Sequence, residues 1–147
     1  MILKSIFRKV QRVYKIALMT LLVVVLSLSS MFLGITNIVS LNQPVGDVEL
    51  YSRFDLAILP MGVGLFIFAI LGCFYVLKEE RWEDRYGPVL PLSIVGAFII
   101  AFVVTMVTPT IYESKFKDAG LTQCSGLPAG YLPLFGEKFA INSSDCK

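Results

Sequence analysis

Three cysteines, two runs of paired carboxylates and one cluster of hydroxyls are the groups in this chain with chemical potential. Cys124 and Cys146 stand near the C-terminus, and Cys73 lies inside a long apolar run. No Cys-x-x-Cys spacing offers thiol exchange. Two cysteines make a poor zinc site in a chain without a single His, because structural zinc wants four Cys or His ligands. Against two free thiols or a metal pair, the expectation is a Cys124–Cys146 disulfide, which needs an oxidising compartment and leaves Cys73 free. Glu79-Glu80 and Glu83-Asp84 resemble general acid–base pairs, but Lys78, Arg81 and Arg85 surround them. Carboxylates are tuned for catalysis by burial, so this solvated run is assigned to solubility and topology. Ser27, Ser29, Ser30, Thr36 and Asn37 form a short polar track, which bonding to their own helix carbonyls accounts for. Asn142-Ser143-Ser144 matches a glycosylation acceptor, relevant only in a eukaryotic secretory setting.

The missing groups exclude more. Without His the chain lacks the commonest general base near neutral pH and the commonest metal ligand. It has no Gly-rich phosphate loop and no Ser–His arrangement. A net charge of +2 is too small to point to nucleic acid. The expectation is a protein that is not an enzyme and carries no cofactor and no metal.

The elements that must hold these residues follow from charge segregation. Of 147 residues 56% are hydrophobic, and mean hydropathy is +0.74. Residues 16–42, 56–77 and 87–112 contain no Asp, Glu, Lys or Arg. Each run exceeds the roughly 20 residues that cross a hydrocarbon core of about 30 Å. A soluble core helix would show a polar face. The fold class expected is an all-α membrane protein with three transmembrane helices, over about 16–39, 56–77 and 89–107. Residues 1–15 form a basic N-terminal segment and 108–147 a short, turn-rich, disulfide-closed extracytoplasmic tail, with 112–117 extending the third span as an amphipathic helix. The first apolar run is far longer than a signal-peptide core of 7–15 residues, so it is read as an uncleaved span.

In the N-terminal segment Lys4, Arg8, Arg12 and Lys15 share one helix face, and Ile6, Val10 and Val13 another. Interfacial helices have this pattern, and its role is to anchor the first span, with lipid recognition as the alternative. Pro44-Val45-Gly46 marks a turn in the first loop, where Val48, Leu50 and Phe54 lie along the membrane surface or on the tail. Trp82 and Tyr86 suit the membrane interface. Ser93, Ala97, Ala101 and Thr105, at spacings of four, put small side chains on one stripe of the third span; Ser30 and Gly34 do so on the first. Small stripes let transmembrane backbones pack closely. That face is spent on packing among the three spans or reserved for another protein.

Positive residues favour cytoplasmic loops. Five lie in the N-terminal segment and three in the 78–88 loop; opposite, near the membrane, stand Arg53, Lys115 and Lys117. Eight against three places the N-terminus in the cytoplasm and the tail outside it. Within the tail, Leu127, Tyr131, Leu132 and Phe135 are the candidate partner surface, packed over the outer ends of the spans or against Val48 and Leu50 of the first loop.

The tail motifs Pro109-Thr110-x-Tyr112 and Gly120-Leu121-x-x-Cys124, with a final Cys146, resemble those of small enterobacterial inner-membrane proteins. This resemblance runs from the third span to the C-terminus and implies a three-span inner-membrane protein with a periplasmic tail. It carries no assigned activity. In architecture and size the chain is also similar to three-span immunity proteins that protect cells against pore-forming bacteriocins. That similarity implies partners in the bilayer: another membrane protein or an incoming toxin. Alternatives are an accessory subunit of a larger membrane complex, or a small transporter or channel component. The last would need ionisable or coordinating groups at membrane depth, where the spans carry no charge.

Overall fold

The computed structural model describes residues 11, 13–125 and 136–146. Among these, three helices are long and apolar enough to cross a membrane: α1 (Tyr14–Ser40), α2 (Ile58–Lys78) and α4 (Val89–Asp118), with mean hydropathies of 2.5, 2.2 and 2.5. The chain is a multi-pass membrane protein, helical for most of its length. A short helix, α3 (Trp82–Tyr86), lies in the second loop.

The middle helix α2 packs on both neighbours, whereas α1 and α4 do not pack along their length. On α1 the buried residues are Thr20, Ser27 and Gly34, which repeat every seven positions. A seven-residue period keeps one stripe facing a partner helix. Opposite Thr20 lies Gly72, where an added Cβ would collide with the threonine hydroxyl. A Cβ on Gly62 would stand 2.9 Å from the backbone nitrogen of Met31, and one on Gly34 would stand 2.6 Å from Leu59 Cβ. Between them the Ser27 hydroxyl donates to the Gly62 carbonyl at 3.1 Å. That hydroxyl therefore bonds across the interface, not back to its own helix as the polar-track reading held. Thr36 and Ser40 do bond to their own helix, at the Leu33 and Asn37 carbonyls. On the other side of α2, a Cβ on Gly64 would lie 3.3 Å from Ala97 Cβ of α4.

Thirty residues make α4 about 45 Å long, more than the hydrocarbon core needs. Pro109 lies inside it, and the Thr108 hydroxyl, fully buried, donates to the Val104 carbonyl. The helix ends in a left-handed stop. Gly120 has φ +86°, its N–H bonds the Lys117 carbonyl, and the Leu121 N–H reaches back to Phe116. Glycine takes this conformation without the Cβ penalty.

The first loop and the tail join in a three-stranded antiparallel sheet of order β1-β3-β2: β1 (Val48–Ser52), β2 (Thr122–Gln123) and β3 (Gly136–Ala140). Turn formers in both segments pointed to loops alone; the strands are short and pair across most of the chain. A 3-10 turn, Ser143–Cys146, follows, and Cys146 is bonded to Cys124 with a Cα–Cα distance of 5.5 Å. Cys73 is free and exposed on α2.

Candidate functional site

The sheet, the projecting end of α4 and the α1–β1 loop build a cap on one end of the helices. Its core is aromatic. Tyr51 of β1 stacks on Tyr112 of α4 at 4.9 Å and 6°, and Phe116 and Phe139 close around it. Leu56 and Leu121 complete this cluster. Strand alternation sends Tyr51 inward and leaves Val48 and Leu50 on the opposite face, 44% and 52% exposed. Those two side chains therefore point away from the cap core, and it is their neighbour Tyr51 that packs into it; the tail residues offered as their partners, Leu127, Tyr131, Leu132 and Phe135, lie outside the described residues.

A polar knot seals the rim of the sheet. Glu137 accepts from the Tyr51 hydroxyl at 3.1 Å, from Arg53 at 3.1 Å and from Gln123 at 3.2 Å. Burial first, and then the Glu137 carboxylate, push the Tyr51 hydroxyl well above its ordinary range, so it stays a donor.

Lys115 ties α4 to the end of α1. Its ammonium donates to the carbonyls of Leu41 at 2.7 Å, Gln43 at 3.0 Å and Ser40 at 3.4 Å. A helix leaves its last carbonyls without intrahelical donors, and a cation there also suits the helix dipole. An ammonium has three N–H groups, so these three bonds use them all. Lys117 pairs with Glu113 at 3.0 Å.

Beside Lys115 is a polar slot of about 180 Å³, lined among others by Asn37, Ser40, Glu49, Asp55 and Tyr112. Asp55 shapes the entry to α2: its carboxylate accepts from the Ser52 N–H at 2.8 Å, and its carbonyl accepts from the Asn37 amide at 2.9 Å. Burial raises its pKa above the ordinary value, partly offset by the Ser52 bond. Below the slot, between α1 and α4 and over α2, runs an apolar groove of about 480 Å³ lined by residues including Ile38, Leu59, Val63, Ile100 and Val104.

Of the stripe on α4, Ala97 and Ala101 are buried. Ser93 and Thr105 are half-buried and donate to the carbonyls of Leu90 and Ala101 on their own helix. Gly34 is buried against Leu59, and Ser30 is half-buried near Gly62. Leu127, Tyr131, Leu132 and Phe135 lie outside the described residues, as does most of the basic N-terminal segment. At the other end of the bundle Trp82 and Tyr86 pack with each other and with Phe74. Among the described residues no group of three or more His, Cys, Asp or Glu is placed to hold a metal.

Sequence reasoning missed Tyr51, Phe139, Glu137 and the capping role of Lys115. The alternation in Val48–Ser52 was the available signal for the first. No family model matches the chain, and neither does any curated protein or solved structure.

Proposed function

We infer that the chain is a non-enzymatic interaction protein of a bacterial inner membrane. Its N-terminus is cytoplasmic, and its periplasmic cap meets a partner. One observation carries this reading: the cap is a folded head, built from two distant segments and closed by a disulfide, that exposes Val48 and Leu50 on β1, an outer strand of the sheet among the described residues. A short edge strand with apolar side chains is a template for pairing with another chain. The partner is a membrane-active toxin, which the protein neutralises as three-span immunity proteins do.

Orientation draws support from how the three outer-side cations near the membrane are engaged. Arg53 pairs with Glu137, Lys117 with Glu113, and Lys115 is held by carbonyls. Each has a local structural use, which leaves the eight cytoplasmic-side charges as the bias that sets topology.

The test is photocrosslinking in cells. A crosslinker replacing Leu50 is expected to give one discrete protein adduct, absent when it replaces Glu79 at the other end of the bundle. A toxin in that adduct supports protection. A resident membrane subunit instead makes the chain an accessory protein. Equal, diffuse labelling from both positions contradicts the reading.

A further inference from the structure

The groove between α1 and α4 has bulky branched walls, and its small residues are already committed. Small residues are what let one transmembrane helix approach another. In this chain Thr20, Ser27, Gly34, Gly62 and Gly72 face each other across α1 and α2, and Gly64 meets Ala97 across α2 and α4. The groove is lined mostly by bulky side chains, Ile38, Leu59, Val63, Ile100 and Val104 among them, with Ala97 its one small residue, a surface that keeps a helix backbone at a distance and suits a flexible hydrocarbon chain.

The linings of slot and groove adjoin along the chain: at the end of α1 Asn37 and Ser40 line the slot and Ile38 and Leu41 the groove, and at the entry to α2 Asp55 of the slot precedes Leu56 of the groove. Its charges select a headgroup. The ammonium of Lys115 has spent its three donors on carbonyls, so it offers no N–H to a phosphate. Glu49 and Asp55 each accept one backbone N–H, from Gly46 and Ser52, through a single oxygen. Both carboxylates line the slot, and each keeps a second oxygen able to accept from a cationic donor.

We propose that the groove holds an acyl chain of one membrane phospholipid, whose primary-amine headgroup docks at Asp55 and Glu49. The amine donates to the two carboxylates, and the hydrocarbon fills the cleft that α1 and α4 leave over α2. This does not depend on what partner the cap meets.

The test uses the full-length chain, purified and delipidated in detergent. Lipids with matched acyl chains and ethanolamine, choline or glycerol headgroups are added, and bound adducts are measured by native mass spectrometry. One ethanolamine lipid per chain is expected, bound about tenfold more tightly than the other two, the value of one charge-assisted hydrogen bond. The double variant Glu49→Gln, Asp55→Asn is expected to lose that preference while still binding lipid. Val63→Trp, which fills the groove, is expected to weaken all three headgroups alike. Should that variant not fold, the unaltered chain still decides: each methylene added to a short-chain ethanolamine lipid is expected to tighten binding about fourfold. Equal or tighter binding of the glycerol lipid overturns the proposal. So does a preference that survives the double variant, an affinity independent of chain length, or a second copy of the chain in place of lipid.

Discussion

Replacing Gly34 with Ala adds one methyl group where the helices touch. In an exposed helix interior this exchange stabilises by about 0.5–1 kcal/mol, because glycine loses more freedom on folding than alanine. At Gly34 the new Cβ would stand 2.6 Å from Leu59 Cβ, 2.7 Å from its Cα and 2.8 Å from its nitrogen. Two of these are backbone atoms, so no rotamer change relieves the contact. The helices must separate, which also stretches the Ser27–Gly62 hydrogen bond one heptad away. Overpacking of this kind costs about 1–3 kcal/mol, enough to reverse the sign of the propensity gain. Gly96 provides the control: it sits on α4, and a Cβ there would meet nothing within 4 Å. Titration with a denaturing detergent, followed by circular dichroism, measures both. Gly34→Ala should unfold at lower detergent fraction than the unaltered chain and Gly96→Ala at the same or higher. Equal behaviour of the two variants would refute the close crossing of α1 and α2.

Phe139→Ala, in the cap core, should cost about 3–5 kcal/mol, read as early loss of hydrogen-exchange protection in β1 and β3 with the spans still protected. Tyr51→Phe removes only the bond to Glu137 and should cost about 1 kcal/mol, so a loss as large as that of Phe139→Ala would contradict the hydroxyl's role. Lys115→Met leaves three carbonyls without their donor and should speed amide exchange over residues 40–43, leaving α2 unaffected. Asp55 has a raised pKa in the folded chain; the native state then holds its proton more tightly than the unfolded state, so stability falls as pH rises from the ordinary 3.8 through the raised folded value. Asp55→Asn should flatten that slope and stabilise the protein at neutral pH, as thermal unfolding across pH will show. Under denaturing, non-reducing conditions one thiol per chain, Cys73, should be labelled; three labelled thiols would contradict the bond between Cys124 and Cys146.

The three spans were legible because charge is excluded from each of them for longer than a membrane is thick. The disulfide was legible because two cysteines shared one segment while Cys73 lay in an apolar run. The α1–α2 seam was only half legible. Gly34 belongs to it, but the repeat that matters is the seven-residue one through Thr20 and Ser27, and small polar residues in a span read equally well as bonded to their own helix. The sheet was hidden for a different reason. Its strands β1 and β3 are five residues each and are separated in the chain by two of the spans, so no local pattern shows their pairing. Lys115 could be read for its charge but not for its position: only the folded chain brings it to the carbonyls that end α1. The polar slot and the groove arise because α1 and α4 both pack on α2 but not along each other, which depends on the whole arrangement of helices.

The account rests on a cap held outside the cytoplasm by three spans. Paired fusions of alkaline phosphatase and of a green fluorescent protein after Lys147 test this most directly in bacterial cells. The phosphatase fusion should be active and the fluorescent fusion dark. A bright fluorescent fusion with an inactive phosphatase would place the cap in the cytoplasm and contradict the account.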